Sequence, residues 1–268
     1  MTRETHEGPV STPETKLGAA NSTADRAIDI LLVFTEERPL WSAVEIAARF
    51  AMPRSTTYRY LNSLRAYALI IEDESGGYRL GPRIFPLARA AKAGNSILNA
   101  AGAELRQLNH RFGEAVSLFQ RVGEEIISLD HIESRHPVRI TFPRGQMLPW
   151  PATASAKVLL AYASRTEQEA IIQLLEPVRY TSKTVTDRKA LRKMLEKIRL
   201  DGFAFSDEER EEGVRAIAAP IFVRGEARYS ITLSGLSFRL TDEKLPEIIS
   251  EVKSTAARIS GALATTEY

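Results

Sequence analysis

Residues 41–64, WSAVEIAARFAMPRSTTYRYLNSL, hold two short helical patterns separated by Phe50-Ala51-Met52-Pro53. Ser42 with Glu45 three positions on is a capping-box start, and it puts Val44, Ile46 and Ala47 on one face of the first helix. Pro53 opens the second helix, because a first-turn proline forfeits no intrahelical bond. Thr57, Leu61, Leu64 and Ala68 then recur at helical spacing and predict the inward stripe. Arg54, Ser55, Tyr58, Arg59 and Asn62, with Thr56 beside them, are left for the outer face, which carries no acid. Such a set suits phosphates and base edges in a major groove, where Arg pairs with guanine and Asn with adenine. The pattern predicts a helix-turn-helix with Pro53–Leu64 as the recognition helix.

A basic outer face alone is also what a solvated amphipathic helix presents. The next residues separate the two readings. Leu69-Ile70-Ile71 is a short apolar strand, Glu74-Ser75-Gly76-Gly77 a turn, and Tyr78-Arg79-Leu80 a returning strand. A helix pair followed at once by a hairpin predicts a winged helix-turn-helix.

DRAIDILLVF (25–34), EIAARFAMPRSTTYRYLNSL (45–64) and GYRLGPRIFPLA (77–88) together resemble the IclR family of bacterial transcriptional regulators. LPWPATASAKVLLA (148–161) and GFAFSDEEREEGVRAIAAPI (202–221) are similar to that family's effector-domain signatures. The resemblance runs from about Asp25 to the C-terminus. It is specific for family and much less so for ligand.

At 268 residues the chain has room for two ordinary domains. No apolar run approaches the roughly eighteen residues of a membrane span, and the N-terminus lacks a signal-like apolar stretch. Zero cysteines exclude disulfides, thiol catalysis and thiolate metal sites, and fit a cytoplasmic protein. The net charge of +2 is modest for a nucleic-acid binder, and Glu72-Asp73-Glu74 makes the wing acidic. DNA affinity is therefore expected from a local basic face and dimeric avidity, not from a global field.

Residues 1–22 read as a disordered tail, 23–82 as the winged domain, 83–94 as a helical linker, and 95–268 as the effector domain. The first helix, capped by Ser22 or Thr23, turns Ala27, Ile30, Leu31 and Phe34 inward, and Leu40-Trp41 is placed to pair with the wing. Ile84, Leu87, Ala88 and Ala91 line one side of the linker helix; a helical linker spaces two reading heads better than a flexible one. A further helix over 96–112 turns Ile97, Ala101, Leu105 and Leu108 inward. The period then changes to two, giving strands at 115–119, 125–132 and 138–140. Helices follow near 153–163, 166–175 and 187–201, strands near 204–207, 216–223 and 228–233, and a closing helix after Thr241-Asp242. So many strands predict an antiparallel sheet flanked by helices, α+β. The resemblance implies the same as a GAF- or profilin-like effector domain.

Nothing in the chain points to catalysis or to a cofactor. His110, His131 and His136 lack metal-like pairing, Asp207-Glu208-Glu209 reads as a solvated acidic loop, and Ser117, Ser155, Ser230 and Ser234 sit in no nucleophile elbow. Binding fits better. Thr153-Ala154-Ser155-Ala156 opens a helix with small residues, where backbone N–H groups favour anions. Thr232 and Ser234 alternate with Leu233 and share one sheet face. The alternative, that Thr153 caps a helix and the hydroxyls satisfy local backbone, stands beside it. The resemblance implies that the backbone at Ala154-Ser155 and side chains at Ser206, Ala216, Thr232 and Ser234 surround a small, commonly carboxylated effector. This chain departs from the family in two places: Pro151 stands where His is common, and Ala216 where a larger polar residue can occur. With Trp150 close by, both suit a roomier, more apolar pocket of the kind an aromatic acid would fill.

The expected protein is a ligand-responsive repressor or activator of catabolic genes. Its expected partners are double-stranded DNA with a palindromic or pseudo-palindromic operator, a small organic acid, and itself, as a homodimer or dimer of dimers. No membrane partner is expected. Two rival readings remain: an enzyme acting on a small acid and tethered by the N-terminal domain, for which no acid–base pair or nucleophile is found, and a protein-interaction module, supported only by the acidic wing.

Overall fold

A computed structural model of the chain describes residues 22–123, 125–138, 140, 144–148, 150–176 and 178–266. The expected tail lies outside them except for Ser22. The chain divides into two compact units, Met1–Asn95 and Ser96–Tyr268.

In the first unit, α1 (Thr23–Leu32), α2 (Ala43–Arg49) and α3 (Arg54–Ala66) precede a hairpin of β1 (Ile70–Glu72) and β2 (Tyr78–Leu80), and α4 (Ile84–Ala93) follows. Ser22 and Ser42 each accept a hydrogen bond from the third helical N–H, while Asp25 and Glu45 reach back to the cap, closing both capping boxes. The core gathers Ile30 and Phe34, Ile46 of α2, Leu61 and Leu64 of α3, and Ile70 and Tyr78 of the hairpin. A fully buried leucine such as Leu61 contributes roughly 1.5–3 kcal/mol relative to an exposed one. Trp41 pairs with Tyr78, as expected of a strand entering the wing, and its indole donates to the Val33 carbonyl at 3.1 Å.

Three expectations fail here. Val44 faces solvent, and Ala43 takes its place beside Ile46 and Ala47. Ala68 is not on the α3 stripe, because the helix ends at Ala66 and Ala68 turns at φ 54° into the hairpin; Tyr60 is buried instead. Pro53 is the N-cap of α3 and not its first helical residue. Gly81 closes the hairpin where a Cβ would lie 2.2 Å from the Ala68 carbonyl oxygen, so no larger residue fits without a backbone shift.

The second unit runs α5 (Ser96–Phe112), β3 (Ala115–Val122), β4 (Glu125–Ile132), α6 (Ala154–Ala161), α7 (Arg165–Leu174), α8 (Arg188–Asp201), β5 (Ala204–Asp207), β6 (Val214–Val223), β7 (Glu226–Leu236) and α9 (Leu245–Thr266). Its sheet is antiparallel throughout, in the order β4-β3-β7-β6-β5. Alternation decides the layers. Val116, Leu118, Ile217, Ala219, Ile231 and Leu233 face α5 and α9, while Phe119, Ala204 and Ala218 face α6 and α8. Both faces are covered, giving three layers. The strand expected at 138–140 is not formed at its described residues: Val138 lies in a bend, Ile140 is in no strand, and Met147 pairs with Ile127 instead.

Candidate functional sites

On α3, Arg54, Ser55, Tyr58, Arg59 and Asn62 are exposed and Thr56 is half-buried. The helix turns this way because Thr57, Tyr60, Leu61 and Leu64 occupy the buried side. The Thr57 hydroxyl returns its hydrogen bond to the Pro53 carbonyl at 3.2 Å. The side chains of Arg54, Ser55 and Asn62 form no hydrogen bond or ion pair among the described residues, and Arg59 lies 5.7 Å from the Tyr60 ring centroid. The face therefore presents donors and an amide with no competing partner among the described residues.

The acidic wing proves to be mostly occupied. Glu72 pairs with Arg65 of α3 at 2.7 Å. Asp73 accepts from the Ser75 hydroxyl at 2.7 Å, the Ser75 N–H at 2.9 Å and the Gly77 N–H at 3.2 Å, and the Ser75 hydroxyl above all holds its carboxyl below the usual range. Two of the three acids thus build the hairpin, leaving Glu74 without a hydrogen bond or ion pair among the described residues.

In the second unit, Ala154, Ser155, Ser206, Ala216, Thr232 and Ser234 line one cavity, with Phe119, Leu148, Ala152, Thr153, Arg210, Glu211 and Val214 completing its wall. The space between the lining atoms is about 410 Å³, open mouth included. Register explains the convergence: Ala216 lies opposite Ser234, and Ser206 opposite Ala216, on three neighbouring strands. The N-terminus of α6 arrives above them, and Ser155 shares a hydrogen bond with Thr232 across the cavity. Trp150 does not join this wall; it packs on the core around α6 instead.

The sequence reading missed a buried ion pair beneath the cavity. Lys157, fully buried in α6, donates to Glu209 and, at 3.0 Å, to the Phe205 carbonyl. Burial pushes the Lys157 ammonium down and the Glu209 carboxyl up, and each partner opposes the other's shift. The 207–209 run is thus no solvated loop: Glu209 is buried, and Asp207 bonds to Arg215 at 2.7 Å and Lys183 at 2.9 Å. A signal existed, since a lysine inside ASAKVLLA requires a buried acid elsewhere. Ser117 and His131, opposite one another on β3 and β4, are also joined at 2.8 Å, and burial holds the imidazole below its usual range. Ser117 does not line the cavity. Among the described residues no group of three or more His, Asp or Glu is placed to hold a metal ion.

An IclR helix-turn-helix model matches residues 23–70, and the model of the C-terminal domain of bacterial IclR transcriptional regulators matches residues 90–261. The chain belongs to the IclR family. It is a DNA-binding transcriptional regulator with an effector-binding C-terminal domain. Relatives include the regulator BhcR of Paracoccus denitrificans (strain Pd 1222), 33% identical over 254 residues, or 92% of this chain and 91% of that one. The regulator KdgR of Escherichia coli (strain K12) is 29% identical over 253 residues, covering 92% and 94%. A crystal structure of an IclR regulator from Silicibacter sp. TM1040 superposes with a TM-score of 0.83 at 25% identity, over 90% of this chain and 96% of that one. The α3 face falls within the IclR helix-turn-helix match and the cavity within the C-terminal one.

Proposed function

We propose that this IclR protein reads a palindromic or pseudo-palindromic operator through Arg54, Ser55, Thr56, Tyr58, Arg59 and Asn62, and responds to a small organic acid held in the cavity. The observation that carries the reading is the outward face of α3, where polar side chains without internal partners stand on a helix with no acid. Hydrogen-bond donors left free on a rigid element suit phosphate and base-edge contacts. Ala154, Ser155, Ser206, Ala216, Thr232 and Ser234 form the effector site, and Trp150 supports α6 from the core. A homodimer or dimer of dimers fits the apolar side chains left uncovered in a single chain: Ile28 and Leu32 on α1, Phe85 and Leu87 on α4. In this reading 83–94 is the linker between a winged head at 23–82 and an effector domain at 95–268, and the protein works in the cytoplasm on catabolic genes, without turning over its ligand.

Gel shifts on the DNA flanking the protein's own coding sequence, with and without candidate acids, test the reading. Ala216→Trp fills the cavity and Thr232→Val deprives Ser155 of its partner. Both variants are expected to bind operator as the parent does while losing the response to the acid or needing more of it. Parent-like responses in both variants would displace the effector from this cavity. Conversion of the acid to a product would favour an enzyme.

A further inference from the structure

The polar side chains around the cavity are not equivalent. Ser155 and Thr232 bond each other, Thr153 accepts the Ala156 N–H at 3.3 Å, and Ser206 donates to the Ala152 carbonyl at 3.5 Å. Two buried atoms of the wall have no hydrogen-bond partner among the described residues: the Ser234 hydroxyl oxygen and one terminal nitrogen, Nη1, of Arg210. A buried donor without an acceptor is costly, and more so when charged. A ligand acceptor is what such a donor lacks.

We propose that Arg210 recognises the acidic group of the effector, with Ser234 as the second contact, and that the ligand is a small monocarboxylate whose apolar body lies against Phe119, Val214 and Ala216. This rests on the reading of the cavity as the effector site. A guanidinium matches a carboxylate in geometry and charge, and a serine hydroxyl can donate to the same group. Among the described residues Arg210 is the one cationic residue of the wall, which suits one negative charge and not two. The other charged residue, Glu211, is exposed, so water screens its repulsion. Arg210 is also held ready. The Glu208 carbonyl accepts from Thr181 at 2.7 Å, the Glu209 carbonyl accepts from Thr184 at 2.6 Å, and the Glu209 side chain is tied to Lys157. The guanidinium itself lies 5.6 Å from the Tyr180 ring centroid. An anchor fixed before binding loses little freedom on binding.

The test is calorimetric, on the full chain, with sodium benzoate and sodium pyruvate as probes, each set against its neutral amide. At least one acid is expected to bind the parent while its amide does not. Arg210→Met is expected to weaken that acid at least tenfold, and Arg210→Lys, which keeps the charge, to weaken it less. Circular-dichroism melts check that both variants fold. Equal binding of acid and amide, parent-like binding in Arg210→Met, or no binding of either acid to the parent at millimolar concentration would overturn the proposal. Ala216→Trp separates the two levels of failure. If it abolishes binding while Arg210→Met does not, the cavity stands and the anchor falls; if it leaves binding intact, the cavity reading falls as well.

Discussion

The recognition helix and the cavity both keep polar side chains without internal partners, but under opposite conditions. On α3 the unpaired groups are in water, which satisfies them until DNA replaces it. In the cavity Arg210 and Ser234 hold buried atoms that no described residue satisfies. The first arrangement costs the fold little and is settled by local helix periodicity. The second must be held by the surroundings, which is why an ion pair and two threonine hydroxyls brace the 208–209 backbone. Head and cavity should therefore respond differently to substitution.

The largest difference is expected at Lys157. Lys157→Met leaves Glu209 buried without its partner and should destabilise the second unit by about 3–5 kcal/mol, read as a lower urea midpoint. Adding Glu209→Gln should recover part of that loss. A single variant as stable as the parent would mean that the pair is not braced as described. Next comes Gly81→Ala in the first unit, where the new Cβ must push against the Ala68 carbonyl. Overpacking of this kind costs about 1–3 kcal/mol, and thermal melts showing no loss would contradict the tight approach.

The smallest effect is in pH. Glu45, Asp73 and Glu167 have carboxyls held below their usual range chiefly by Ser42, Ser75 and Ser164. Their folded-state pKa values lie below the unfolded ones, so their contribution is present above the unfolded pKa and fades as pH falls through the folded pKa. Because Glu45 and Glu167 are exposed and Asp73 is only half-buried, melts between pH 6 and 3.5 should show a shallow decline, smaller again in Ser42→Ala. A melting temperature that rises over that window would reverse the sign.

Most of the fold was legible because its signals are local. Ser42 and Glu45 announced α2, the Ile97–Leu108 stripe announced α5, and the change to period two announced the antiparallel sheet. What failed was tertiary. Ala68 continues the helical spacing in sequence, yet the chain must turn there to reach the wing. Val138 and Ile140 carry strand-like residues, but the edge of β4 is instead met by Met147. At the cavity, the small residues of α6 and the alternation of Thr232 and Ser234 were visible, whereas their convergence with Ser206 and Ala216 came from family resemblance. Trp150 is near the cavity residues in sequence but packs against the core around α6. Lys157, Glu209 and Arg210 escaped because their roles follow from contacts across about fifty residues, which no periodicity records.

The central claim is that the outward face of α3 reads sequence. Fluorescence anisotropy with Arg59→Ala tests it most directly, titrating the variant and the parent on operator and on a scrambled duplex at one salt concentration. Loss of about 1–3 kcal/mol on operator, with little change on the scrambled duplex, is the expected result; parent-like binding to both would contradict it.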